Sequence, residues 1–186
     1  MSRFEIAPTA LAGVMQVRRV RLRDERGYLA RVFCPDELSA AGWHMPIAQI
    51  NLTLTTTPGT VRGMHYQLPP YSESKLVSCL RGEVWDVALD LREGSATFLC
   101  WHAQRLSADN DTALLLPEGV AHGFQSLSTD AELLYCHSRP YAAQHERGLN
   151  PLDPRLAIAW PMAVSGMSPR DRDHPLLAAN FRGVSP

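Results

Sequence analysis

The sequence is poor in several features, and each shortage narrows its function. No run of apolar residues reaches the roughly 20 needed to cross a bilayer as a helix, so no membrane association is expected. The opening MSRFEIAPTALAG has no long apolar segment, which predicts no secretory signal and a cytoplasmic location. Excess charge of one sign is missing too: 18 Lys and Arg stand against 19 Asp and Glu, for a formal net charge of -1. Neutralising a phosphate backbone requires a basic excess, so nucleic acid is not an expected partner. A locally basic pocket for a small anion is untouched by that argument. Cysteines are few and scattered (Cys34, Cys79, Cys100, Cys136), with no C-x-x-C pair. That spacing disfavours a zinc knot or a dithiol redox motif and predicts free thiols. Internal repeats, linkers and low-complexity stretches are lacking as well.

What is there is an ordinary globular composition, 45% hydrophobic and 20% charged, over 186 residues. The length suits one domain with a real core, spanning 1–186. Strand patterns dominate: 14–22, 47–55, 83–91, 97–106, 112–116 and 131–137, separated by turn signals such as TTPGT, QLPP, REGS, SADND and PEG. Period-two alternation puts Ile50, Leu52 and Leu54 on one face, and Trp85, Val87, Leu89 and Leu91 on another. Helical signals are limited to 35–43, with Pro35 in its first turn, and to 175–180. Many short strands in one domain predict an all-β sandwich or barrel, with a jelly roll among the candidates. The proline-rich end reads as an irregular wrap over that barrel.

Four constellations can carry chemistry. GTVRGMHYQLPPYSESK sets Arg62, His65 and Lys75 around a turn. Strict alternation separates Arg62 from His65, but Gly63 permits a bulge that brings both to one side. The plain alternative is a solvated histidine on an edge strand. LPEGVAHGFQSL carries Pro-x-Gly-x-x-His, the half-signature of the second conserved segment of cupin barrels, and G-x5-H upstream runs from Gly59 to His65. Metal-binding cupins need His-x-His there, and this chain reads His65-Tyr66-Gln67. Two histidines with the distant Glu73 make a poor ligand set, so no metal is expected. In AELLYCHSRPY, Tyr135 shares a face with Ala131 and Leu133. A core tyrosine and a phenol aimed into a cavity are equally compatible with that pattern. DERG (24–27) and HERG (145–148) place arginine beside glycine, either as plain surface turns or as forks that clamp a diphosphate.

Taken together, these segments resemble the dTDP-4-dehydrorhamnose 3,5-epimerase family. The similarity runs from about residue 12 to residue 177 and rests on D-E-R-G, Q-x-N (49–51), R-G-M-H-Y-Q-x-P-P (62–70) and K-L-V (75–77). It extends through G-E-V-W-D-V-A-L-D-L-R (82–92), P-x-G-x-A-H-G-F (117–124), L-Y (134–135), H-E-R-G-L and S-P-R-D. The resemblance implies an all-β, cupin-type jelly-roll barrel with a few short helices, working as a homodimer with neither metal nor cofactor. It implies a nucleotide-diphosphate sugar as substrate. His65 would be the general base with Asp171 as its partner, Tyr135 the proton donor on the opposite face, and Lys75 the cation at the C4 oxygen. Arg26, Arg62 and His122 would hold the diphosphate. Gln49, Ile50, Asn51, Glu146 and Arg170 would add substrate contacts, and Tyr141 would line the nucleotide base.

One departure concerns the segment after D-E-R-G. Where the family commonly has a glutamate, this chain reads Tyr28-Leu29-Ala30-Arg31, and Pro140 stands where an aromatic residue is frequent. The proton-transfer groups are untouched, while nucleotide and sugar specificity stay open. A CDP- or GDP-linked sugar and inversion at one carbon are alternatives on the same chemistry. A ketoisomerase on the same barrel and a non-catalytic sugar-binding cupin are the others.

Overall fold

The computed structural model describes residues 2–185. Two antiparallel sheets form the body. The larger has the order β1 (Phe4–Pro8), β2 (Met15–Arg19), β10 (Thr112–Leu116), β7 (Lys75–Arg81), β12 (Ala131–His137) and β5 (Gln49–Thr55). The smaller has the order β13 (Glu146–Gly148), β6 (Val61–Gln67), β11 (Val120–Ser126), β8 (Glu83–Asp90) and β9 (Trp101–Ser107). A separate hairpin pairs β3 (Arg21–Asp24) with β4 (Gly27–Ala30). This is the jelly roll of cupin type expected from the sequence.

Alternation along each strand sorts its side chains between three cores. Between the sheets lie Val77, Leu114, Leu133 and Tyr135 from the larger and Val84, Ala88 and Phe124 from the smaller. The other face of the smaller sheet, with Val87, Leu89 and Met64, is roofed by Leu149, Leu156, Leu177 and Val184 of the C-terminal segment. The outer face of the larger sheet buries Val17, Leu76, Leu115 and Cys136 under Leu38 and Trp43. Trp43 follows α1 (Pro35–Leu38) and a 3-10 turn at Ser39–Ala41. Pro35 suits the first helical position, and Gly42, at φ 100°, ends the turn in a left-handed conformation that a side chain would disfavour.

Several expectations need correction. The 14–22 pattern splits into β2 and β3, and residues 97–100 form a turn ahead of β9. No helix forms over 175–180. The helix near the C-terminus is α2 (Pro169–Arg172), with Ser168 as its cap and Pro169 in its first turn. Ile50, Leu52 and Leu54 do share a face, but it is the exposed outer face of edge strand β5, each about half accessible. Among the described residues, no helix is long and apolar enough to cross a membrane. The four cysteines are free thiols.

Candidate active site

His65 sits on β6, which has neighbours on both sides and so is no edge strand. Opposite His122 the register is normal, but Phe124 pairs with Arg62, so β6 carries one extra residue. Gly63 absorbs it at φ 138°, and a Cβ there would lie 2.6 Å from the Gly123 Cα. The bulge turns Arg62 and His65 to the same cavity, as the glycine suggested.

Behind His65, α2 supplies the carboxylate. The Ser168 Oγ accepts a 3.0 Å hydrogen bond from the Asp171 N–H, a cap worth about 1 kcal/mol that locks the turn carrying Asp171. The Asp171 Oδ1 lies 2.7 Å from His65 Nε2. Burial pushes the Asp171 carboxyl up, but the hydrogen bond and charge of His65, with the Gly63 N–H and Ser168, outweigh it and hold the group below the usual range. An ionised carboxylate that accepts Nε2–H leaves Nδ1 as the basic nitrogen and stabilises the imidazolium formed on proton uptake. Among the described residues His65, Asp171 and His174 are a trio whose ligand-type atoms lie within 4.8 Å of one another. Within the trio, the 2.7 Å contact joins His65 to Asp171, and His174 Nε2 lies 3.8 Å from the same carboxylate oxygen.

The opposite wall belongs to the other sheet. Tyr135 and His137 project inward from β12, and Lys75 projects inward from β7, where it pairs in register with His137. All three line the same cavity as His65, with a volume of about 280 Å³. Burial, then the charge of Asp86, pushes the Tyr135 hydroxyl well above its ordinary range. At neutral pH it is a phenol, able to give a proton. The Glu73 carboxylate lies 3.0 Å from Lys75 Nζ and 2.8 Å from His137 Nδ1.

Comparison with known proteins places this arrangement. The family model described as dTDP-4-dehydrorhamnose 3,5-epimerase matches residues 8–179. The chain belongs to that family. A dTDP-4-dehydrorhamnose 3-epimerase of Streptomyces niveus is 40% identical over 98% of this chain and 89% of its own. A dTDP-4-dehydrorhamnose 3,5-epimerase of Sinorhizobium fredii is 39% identical over 90% of this chain and 87% of its own. Among solved structures, the dTDP-6-deoxy-D-glucose-3,5-epimerase of Legionella pneumophila in complex with dTDP-4-keto-L-rhamnose superposes with a TM-score of 0.90. It is 33% identical and covers 98% of this chain and 99% of that one.

Of the residues the epimerase family implies, most converge. Gln49, Asn51, Arg62, His65, Lys75, Tyr135, Tyr141 and Glu146 line the cavity. Its rim is one polar chain. Gln49 Oε1 accepts from the Tyr141 N–H at 3.0 Å, the Tyr141 hydroxyl donates to Glu146 at 2.8 Å, and Glu146 pairs with Arg170. Arg170 and Asp171 also wall an adjoining cleft that shares Arg62 and His65. Three residues are not in the lining. Ile50 points out of the sheet, because alternation gives the inner face of β5 to Gln49, Asn51 and Thr53. His122 is buried 2.7 Å from Asp86, just behind the lining: it lies opposite His65 on the next strand, with its ring 5.7 Å from that of Tyr135. Arg26 sits in the β3–β4 turn, 85% exposed and paired with Asp24, outside the cavity of its own chain. Arg31, the departure from the family glutamate, pairs with Glu37.

Sequence reasoning missed His137 and undervalued Glu73. The signal was present: each lies two residues from a chosen one, Tyr135 and Lys75, so strand periodicity puts His137 on the face of Tyr135. Asp86 escaped because its partner His122 lies 36 residues away.

Proposed function

We propose that the chain is a cofactor-independent epimerase inverting C3, C5 or both in a dTDP-linked 4-keto-6-deoxyhexose. The observation that carries this reading is the division of groups between two walls: His65 on one sheet, Tyr135 and Lys75 on the facing sheet, all lining one cavity. A carbon-bound hydrogen beside a ketone leaves only if the enolate is stabilised. A fixed cation at the C4 oxygen acts as an oxyanion hole does, supplying roughly 3–4 kcal/mol per donor. His65 removes the proton from C3 or C5, and its electron pair passes into the enolate whose oxygen faces Lys75. Tyr135 then protonates the same carbon from the other side, inverting it. The imidazolium and phenolate left behind exchange protons with solvent and reset. The oxidation level of the sugar is unchanged, so the cycle calls for no redox cofactor.

Arg62 supports the diphosphate role. Its guanidinium gives one Nη2–H to the Leu54 carbonyl at 3.0 Å, and the residue lines the cavity. Tyr141, Glu146 and Arg170 form the rim against which the nucleotide rests. A single-centre outcome is the second reading, favoured by the 3-epimerase name of the 40%-identical relative. We also propose a homodimer, because Ile50, Leu52 and Leu54 leave an apolar outer face on edge strand β5 uncovered.

Incubation with dTDP-4-keto-6-deoxyglucose in deuterated water tests the reading. Deuterium is expected at C3, C5 or both, with inverted configuration by NMR. His65→Ala is expected to lose this incorporation, and full turnover by that variant would remove His65 as the base.

A further inference from the structure

Glu73 is nearly buried, and its two carboxylate oxygens face two different groups. Oε1 lies 3.0 Å from the Lys75 ammonium and Oε2 lies 2.8 Å from His137 Nδ1. The Lys75 and Glu73 side chains are 9% and 7% exposed, that of His137 12%. The His137 ring stacks on Tyr135 at 5.9 Å between centroids, and its Nε2 lies 3.5 Å from Asn51 Nδ2 at the cavity wall. Burial works against ionisation of Glu73, yet the charge of Lys75 and the hydrogen bond from His137 hold its carboxyl below the usual range. A buried ion pair of this kind adds little net stability, since desolvation consumes most of its Coulomb gain. Its position on a cavity wall points to another use.

We propose that Glu73 is a positioning residue for the lysine: one carboxylate clamps Lys75 and His137 into a row beside Tyr135, keeping the buried ammonium charged and aimed at the ketone oxygen. This rests on the epimerase reading above, in which Lys75 faces the enolate. Without a counter-charge, a desolvated ammonium sheds its proton more readily. The other groups around the cavity cannot substitute. Arg62, His65 and Tyr66 on β6 and Tyr135 on β12 carry no carboxylate, β5 offers only Gln49, Asn51 and Thr53, Asp86 on β8 faces His122 on β11, and at the rim Glu146 is engaged by Tyr141 and Arg170.

The test is Glu73→Gln, which keeps shape and hydrogen-bonding capacity but removes the charge. The alkaline limb of its kcat profile is expected to move down by at least about one pH unit, given shifts of up to 3–5 units for buried lysines. Glu73→Asp, which restores the charge, is expected to return the limb toward its original place. His137→Asn is expected to leave it there, since Glu73 still faces Lys75. Acetic anhydride labelling of Lys75 against pH, read by peptide mass spectrometry, should show the same displacement independently of turnover. Binding of dTDP by calorimetry checks that each variant is folded. An unmoved limb and labelling curve in Glu73→Gln, or an equal displacement in His137→Asn, overturns the clamp. If the wild type incorporates no deuterium, the epimerase reading fails while the labelling curve still decides the clamp.

Discussion

Replacing Asp171 by Asn isolates what the dyad carboxylate contributes to proton abstraction. The asparagine side chain has nearly the same size and can still accept a hydrogen bond from His65 Nε2 across the 2.7 Å gap. The fold around it should hold, because the Ser168 cap binds the backbone N–H of residue 171 and not its side chain. What disappears is a charge facing an imidazolium. A hydrogen bond to a charged group is worth about 1.5–3 kcal/mol. At 1.36 kcal/mol per tenfold change in rate, that predicts a kcat roughly 10- to 160-fold lower. The loss should stay below the roughly 10⁴-fold seen when a triad aspartate is replaced and the wrong tautomer results. The His65 side chain is 29% exposed, so water reaches the dyad and softens the effect. Washing of deuterium from solvent into C3 and C5 measures abstraction directly, and KM should change little because Asp171 lies behind the base. A kcat within about threefold of wild type would refute the coupling between Asp171 and the base.

Tyr135→Phe leaves His65 to abstract and return a proton on one face, so deuterium should enter with retained configuration while inversion falls about 10²- to 10⁴-fold, by NMR of the product. Inversion at the wild-type rate would remove the phenol as donor. Gly63→Ala meets backbone at 2.6 Å and a φ of 138°, and overpacking of this kind costs roughly 1–3 kcal/mol. For a chain of this size that is about 2–12 °C in Tm, checked by calorimetry. Leu52→Glu places a charge in the apolar outer face and should convert a dimer to monomers in sedimentation velocity, an unchanged profile arguing for another interface. Asp171 and Glu73 both have folded-state pKa values below their ordinary ones. Their stabilisation is therefore complete above the ordinary carboxylate range and is lost as pH falls through the lower folded values. Denaturant midpoints should hold from pH 7 to about 5 and drop below about 4, more steeply in wild type than in Asp171→Asn.

The sheet architecture was legible because strand alternation and turn chemistry are local. The bounds of β10 and β12 agree with the sequence pattern, and β8 differs by one residue. The shared side of Arg62 and His65 was legible for a similar reason, since Gly63 announces a bulge by its own chemistry. Which face of a strand looks inward is a different kind of question. On β5 the apolar set Ile50, Leu52, Leu54 faces out, and the polar set Gln49, Asn51, Thr53 faces a cavity. A functional barrel inverts the usual rule there, because its interior must bind a polar substrate. His122 shows the converse. Nothing in the sequence around His122 names its partner, but the fold supplies Asp86 from the neighbouring strand and buries the pair beside the Tyr135 ring.

The same reasoning explains why the proposed working groups come from separate sheets. Two side chains on one sheet approach a bound sugar from one side, which suffices to exchange a proton but not to invert a carbon. Inversion needs a base and an acid across the substrate, and a jelly roll whose sheets face each other provides that separation without a special loop. In the proposed reaction His65 on β6, next to the Gly63 bulge, and Tyr135 on β12 meet the requirement. The cation needs only to sit beside one of them, and Lys75 does so from the strand next to Tyr135. The fold therefore supplies the two-sided geometry, while Asp171 beside His65 and Glu73 beside Lys75 put one carboxylate at each wall.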